Sequence, residues 1–176
     1  RRFTNPLTLV NNTIYWDFLH LWREIQIGIE EGKDLQPASI GVDTWGVDFA
    51  LLDQQGQLIA NPVSYRDGRT EGMMEAVFSR VPRSEVFAQT GIQFMRINTL
   101  YQLMSLLENK SPQLEVADTL LMAPDLLNYW LTGAKVSEFS NATTTQMFNP
   151  RTETWASGLL ESIGLPTQIL PEIVMP

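Results

Sequence analysis

The segment GVDTWGVDFALLD, Gly41 to Asp53, is an apolar run broken at five-residue intervals by Asp43, Asp48 and Asp53, with an indole and a glycine at its centre. A short apolar run that ends in turn chemistry reads as a buried strand. Val47 to Leu52 fits that description, and Asp53-Gln54-Gln55-Gly56 is the turn, since Gly56 can take a positive φ. Upstream, Ala38 to Asp43 reads as a strand entered after Pro37. The Thr44-Trp45-Gly46 bend then sets Asp43 and Asp48 on either side of it. Both carboxylates could point to the mouth of a sheet, where α/β proteins commonly bind ligands. Whether they bind a ligand, act in catalysis or only mark where a sheet turns stays open at this level.

Working outward, Phe18, Leu21, Trp22, Ile25 and Ile29 recur at helical spacing and predict an amphipathic helix from about Asp17 to Glu31, capped by Asp17 and stopped by Gly32. A helix followed by a strand is the step of an α/β fold. Past the turn, QLIANPVSY predicts an edge or irregular strand, because Pro62 cannot donate to a ladder. The remainder reads as mostly helical: Thr70–Arg80, Arg83–Thr90, Asn98–Glu108, Asp125–Leu131 and Trp155–Ile163. A short strand is expected within PQLEVADTLLMAPD, before a cap at Asp125, and Gly133 is expected to close the helix that follows. No repeat or low-complexity linker argues for a second complete domain.

Of 176 residues 44% are hydrophobic and 18% charged, which suits a folded domain or a large piece of one. The net charge is −8, and no basic stripe could neutralise a row of phosphates, so nucleic acid is a poor partner. The absence of cysteine excludes disulfides, thiolate metal sites and a cysteine nucleophile, and suits a cytoplasmic location. No stretch reaches the roughly 18 apolar residues of a membrane helix. The start, Arg1-Arg2-Phe3-Thr4, carries no signal-like apolar segment, and its lack of methionine suggests an excised or truncated piece. His20, the one histidine, lies in the predicted helix and is expected as a surface or boundary residue rather than as a ligand.

Three carboxylates, Asp43, Asp48 and Asp67, could converge on cations as in an RNase H-like nuclease, but the acidic surface opposes a polyanionic substrate. Trp45-Gly46 offers a flat apolar ring beside backbone that a ligand can approach closely, which suits a sugar. In SYRDGRT, Tyr65, Arg66, Asp67 and Arg69 follow a strand in a loop that could bind polyols.

Taken together, SIGVDTWGVDFALLDQQGQLIANPVSYRDGRT, GIQFMRINTLYQL, LLMAPDLLNYWLTG and SNATTTQMFNPRTETW resemble, in order and spacing, the first domain of the FGGY carbohydrate kinases. The resemblance runs from about Phe3 to Pro171. Within the family, Trp45-Gly46-Val47-Asp48 and Asn98-Thr99-Leu100-Tyr101-Gln102 resemble the branch that phosphorylates L-rhamnulose.

The resemblance implies an α/β, RNase H-like fold of the actin and hexokinase superfamily, with a mixed sheet and flanking helices. Residues 1–176 would be an incomplete N-terminal sugar-binding domain, with the C-terminal ATP-binding domain outside the chain. ATP and Mg²⁺ are the implied cofactors, a small sugar the implied partner, and the oligomer a monomer or homodimer. The expected reaction moves the γ-phosphoryl of ATP to the 1-hydroxyl of L-rhamnulose; the alternatives are a related ketose such as L-fuculose or D-xylulose, or a non-catalytic sugar-binding module.

The family's phosphate loop and its catalytic aspartate match no residue here; the base is expected beyond Pro176, so no catalytic residue is assigned. Gly46 matches a sugar-contacting position and Tyr65 an aromatic lining the sugar pocket. Trp45, Asp67 and Arg69 lie in matching motifs and complete the expected substrate-binding set. Asn141 and Thr143 match an Asn-Ala-Ser/Thr element in which packing is as plausible as function.

Overall fold

A computed structural model describes all 176 residues, Arg1–Pro176. It opens on a hairpin absent from the sequence reading, β1 (Leu7–Val10) antiparallel to β2 (Thr13–Trp16). Its turn residues, Asn11 and Asn12, stand at φ 48° and 65°. Two positive φ angles match the twist of a tight hairpin, and asparagine tolerates that region better than most residues.

Helix α1 (Phe18–Gly32) begins as expected, with the Asp17 carboxylate accepting from the His20 amide at 2.9 Å. His20 is half-buried, with its ring 3.3 Å from the Thr4 carbonyl.

The strand expected at Ala38–Asp43 does not form. A strand needs a hydrogen-bonded neighbour, and this stretch has none; Ile40 stays 58% exposed. The next strand, β3 (Phe49–Leu52), starts later than expected because Val47 is turned out of extended geometry, at φ 67°. The turn after it forms as read: Asp53 Oδ1 accepts from the Gln55 and Gln57 amides at 2.9 and 2.8 Å, and Gly56 sits at φ 75°. QLIANPVSY contributes only single bridges, Leu58 to Leu52 and Val63 to Tyr15, so it is irregular rather than a strand.

Helices α2 (Met73–Arg80), α3 (Arg83–Thr90), α4 (Thr99–Glu108) and α5 (Pro112–Val116) follow, the last unanticipated. Strand β4 (Thr119–Met122) pairs antiparallel with β3. Helix α6 (Ala123–Thr132) leaves β4 directly, so Asp125 lies inside its first turn instead of capping it; Pro124 occupies the first turn, where a missing N–H costs nothing. Gly133 closes α6 at φ 80°.

The chain ends with β5 (Ser137–Glu138), α7 (Phe139–Ala142), β6 (Phe148–Asn149), β7 (Thr154–Trp155), α8 (Ser157–Ile163) and β8 (Ile173–Val174). Strands β5 and β8 pair in parallel, while β6 and β7 form a small antiparallel pair. Trp155, expected in the last helix, lies in β7.

Strands β3 and β4 explain the apolar run. All eight of their residues are buried, and the period-two alternation sends them to two cores. Phe49, Leu51, Leu120 and Met122 face a core with α2, α4 and α8; Ala50, Leu52 and Leu121 face another with α1 and α6. The bend before β3 is therefore tethered to the most buried backbone of the molecule.

Candidate functional site

Gly46 and Val47 form a tight turn in which the Asp48 amide donates to the Gly46 carbonyl at 2.9 Å. A β-branched residue at positive φ is strained, and its neighbours hold it there. The Thr99 hydroxyl and the Gln102 amide donate to the Val47 carbonyl at 2.7 and 3.1 Å. The Val47 amide in turn donates to the Thr144 hydroxyl at 3.2 Å.

Beside this turn opens a cavity of about 420 Å³, bordered by Trp45, Gly46, Tyr65, Met95, Asn98 and Thr143 among others. Its floor is backbone and its walls are aromatic and aliphatic, with a few polar groups at the edge. Such a site suits a small polyol, whose C–H faces rest on rings while its hydroxyls find fixed partners. Asn98 is fully buried; its amide donates to the Gln93 carbonyl at 3.0 Å and to Gln146 Oε1 at 2.9 Å, leaving Oδ1 as an acceptor without a protein partner.

The aspartates part company. Asp43 is exposed and borders a second cavity of about 460 Å³, walled by apolar residues of α1 and α6. Asp48 is fully buried: its Oδ2 accepts from the Trp16 indole at 2.6 Å, the Trp45 indole at 2.9 Å and the Tyr65 amide at 3.2 Å, and its Oδ1 accepts from Gln102 Nε2 at 3.1 Å. Burial pushes the Asp48 carboxyl above the usual carboxylate range, and the hydrogen bonds from Trp16, Trp45, Gln102 and Tyr65 pull the other way.

Asp67 caps a short 3₁₀ turn, Gly68–Thr70, by accepting from the Arg69 amide at 2.9 Å, and its other oxygen accepts from the Ile14 amide of β2 at 2.8 Å. Arg69 reaches Gln102 Oε1 at 2.7 Å; burial lowers its guanidinium to about 10. The structure thus brings Trp45, Gly46 and Tyr65 together around one cavity and places Asp67 and Arg69 behind it, in the frame.

Thr143 reaches the cavity wall, whereas Asn141 does not border it. Met95, Ile97, Asn98 and Thr144 border it too and were absent from the candidate set. Three of them fall in GIQFMRINTLYQL, where motif likeness was the available signal.

No group of three or more His, Cys, Asp or Glu side chains is placed to hold a metal ion, so the triad Asp43, Asp48 and Asp67 is not a cation site. The residues present do not fit Mg²⁺. No helix is long and apolar enough to cross a membrane.

Residues 12–175 match the family model of the N-terminal domain of the FGGY family of carbohydrate kinases. The chain is 45% identical to a rhamnulokinase of Oceanobacillus iheyensis, over 99% of this chain and 38% of that protein. It is 44% identical to one of Pectobacterium atrosepticum, over 99% and 36%. The chain therefore spans little more than a third of the length of these curated relatives. Among solved structures, a ligand-bound xylulose kinase from Lactobacillus acidophilus superposes with a TM-score of 0.83 at 20% identity, over 99% of this chain and 36% of that one. A Plasmodium falciparum glycerol kinase with ADP gives 0.73 at 17% identity, over 97% and 37%. These structural likenesses establish the fold, an α/β domain of the sugar-kinase type.

Proposed function

This chain belongs to the FGGY family of carbohydrate kinases, and we propose that residues 1–176 form the greater part of the sugar-binding domain of an ATP-dependent kinase that phosphorylates L-rhamnulose on its 1-hydroxyl. The observation that carries the substrate choice is the likeness to rhamnulokinases across nearly the whole chain. The cavity beside Gly46 agrees with it in size and chemistry.

In this reading the ketose rests against Trp45 and Tyr65, approaches the backbone at Gly46, and meets Thr143 at the cavity edge. Phosphoryl transfer asks the protein mainly for positioning and charge stabilisation. This segment supplies the positioning. Asp48 and Asp67 are spent on hydrogen bonds within the fold and Asp43 borders the other cavity, so none of the three is placed as the base that takes the hydroxyl proton. In our reading the base, ATP and Mg²⁺ sit on the part of such an enzyme outside the matched third, and the whole works in the cytoplasm.

The test is ADP release by the full-length protein with ATP, Mg²⁺ and L-rhamnulose, L-fuculose or D-xylulose. A rhamnulose-dependent rate at least tenfold above the other ketoses is expected. Preference for another ketose would overturn the substrate, and a folded protein silent with all three would favour a binding module.

A further inference from the structure

We propose that Asp48 is the positioning residue of this cavity: its buried carboxylate fixes the Trp45 indole and the Tyr65 backbone, and so sets the wall against which a sugar rests, without itself touching the sugar. The inference rests on the sugar-binding reading above and assigns the residue on which the shape of that site depends.

Two of the four groups donating to Asp48, Trp45 and Tyr65, border the cavity. The other two, Trp16 on β2 and Gln102 on α4, tie the same carboxylate to the frame. Asp48 therefore links the cavity wall to two separate elements through single bonds. Aromatic packing orients the ring further but gives it no unique rotation: Trp45 lies 4.4 Å from Trp16 and 5.9 Å from Phe18, centroid to centroid, in tilted and edge-on contacts.

All four partners are donors, so the site is matched to an anion. An asparagine has one acceptor oxygen, and whichever way its amide turns, an NH₂ group faces a donor. Gln102 cannot reverse to relieve this, because its Oε1 accepts from Arg69. Asp48→Asn thus keeps its oxygen on the two indoles and the Tyr65 amide only by setting its NH₂ group against Gln102 Nε2, whose hydrogens the Val47 and Ile97 carbonyls accept at 3.1 and 2.8 Å, and this contact of donor with donor pushes the amide off the place the carboxylate held. The displacement falls on the residue with the most freedom to move, which is half-buried Trp45 rather than fully packed Trp16.

The experiment compares wild type, Asp48→Asn, Trp45→Phe and the double variant in the full-length protein, reading KM and kcat for L-rhamnulose, the Trp16 and Trp45 indole N–H resonances, and melting temperature. Asp48→Asn should raise KM about tenfold with kcat held within about threefold, since positioning acts on sugar binding and not on the transferring groups. Trp45→Phe keeps a ring but loses the tether, and should raise KM about threefold; the double variant should be no worse than Asp48→Asn, because both changes break one interaction.

An unchanged KM in folded Asp48→Asn, a fall in kcat at constant KM, or multiplying effects in the double variant would overturn the proposal. If Asp48→Asn does not fold, Trp45→Phe decides, an unchanged KM counting against it. If the wild type turns over no ketose, the sugar reading fails separately. The tether is then judged on the Trp45 indole: its resonance should shift and exchange faster in Asp48→Asn, and an unmoved, equally protected indole overturns it.

Discussion

Gly46 sits where a side chain has no room. A Cβ there would lie 3.0 Å from both Thr144 Cγ2 and Thr144 Oγ1. Thr144 cannot step aside cheaply, because its hydroxyl donates to the Asn141 carbonyl at 2.8 Å and accepts from the Val47 amide. We expect Gly46→Ala to cost about 1–2 kcal/mol of stability through overpacking and to weaken ketose binding about tenfold, because the strained turn that floors the cavity must shift. Calorimetric titration with L-rhamnulose beside a thermal melt checks both, and an Ala variant that binds as wild type would remove Gly46 from the floor. Val47 belongs to the same argument. A valine at φ 67° persists only because Thr99, Gln102 and Thr144 over-determine it, and such strain is expected where a site must be presented rigidly. At this scale the sequence was partly legible. An indole next to a glycine marked the cavity, but nothing in the spacing of Asp43, Asp48 and Asp67 told which carboxylate would be exposed, which buried beneath two indoles and which spent on a cap. Those fates depend on Trp16 and Ile14, which reach the site from a hairpin far away in the chain.

The elements carry their own test at the start of α6. Asp125 is buried in the first turn, with Oδ1 accepting from the Glu138 amide at 3.2 Å and Oδ2 without a hydrogen-bond partner. Burial raises its carboxyl to about 6, with Glu138 close by adding to the effect. Glu138 itself is held below its ordinary value: burial opposes this, but hydrogen bonds from Ser140 and Asn141 prevail. A carboxyl whose pKa is raised on folding binds a proton in the native state that the unfolded chain has already released. The stability it contributes is therefore present at low pH and is lost as pH climbs from about 4 to about 6, by up to roughly 3 kcal/mol for about two units. Asp125→Asn should flatten that dependence, so the melting-temperature difference between variant and wild type should grow in the variant's favour from pH 4 to pH 7. A constant difference across that range would refute the assignment. The same helix marks the limit of reading elements from sequence. Its existence and its Gly133 stop were legible, but its start was not, because the chain passes from β4 into α6 with no cap residue between them. Ala38–Asp43 failed for the opposite reason: local β propensity was present and a pairing neighbour was not. The Asn11-Asn12 turn could have been found, since two turn-favouring residues separate two short runs rich in β-branched, aliphatic and aromatic residues.

For the whole molecule, the decisive arrangement is one antiparallel pair shared by two cores. The faces of β3 and β4 are both buried, so adjacent residues of β4 serve different clusters: Leu120 belongs to the one that holds Leu100, Met104 and Leu159, and Leu121 to the one that holds Phe18, Leu126 and Ala123. Removing either side chain leaves a cavity that the surroundings cannot refill, at a cost of about 2–5 kcal/mol. A domain of this size has only about 5–15 kcal/mol in total. The two cores also meet at the backbone that presents the cavity, since the Ala123 amide donates to the Asp48 carbonyl at 2.9 Å where β4 ends. Damage to either core should therefore reach the site as loss of structure, not as a selective loss of affinity. We expect Leu120→Ala and Leu121→Ala each to lower the urea midpoint clearly, with ketose binding surviving in the molecules that stay folded, and the double variant to be largely unfolded without denaturant. The two single losses fall in different clusters, so any departure from their sum measures coupling through the strand the two residues share. A Leu121→Ala variant as stable as wild type would mean that the core against α1 and α6 does not support the fold, and a double variant less destabilised than the sum would mean that the two cores act as one.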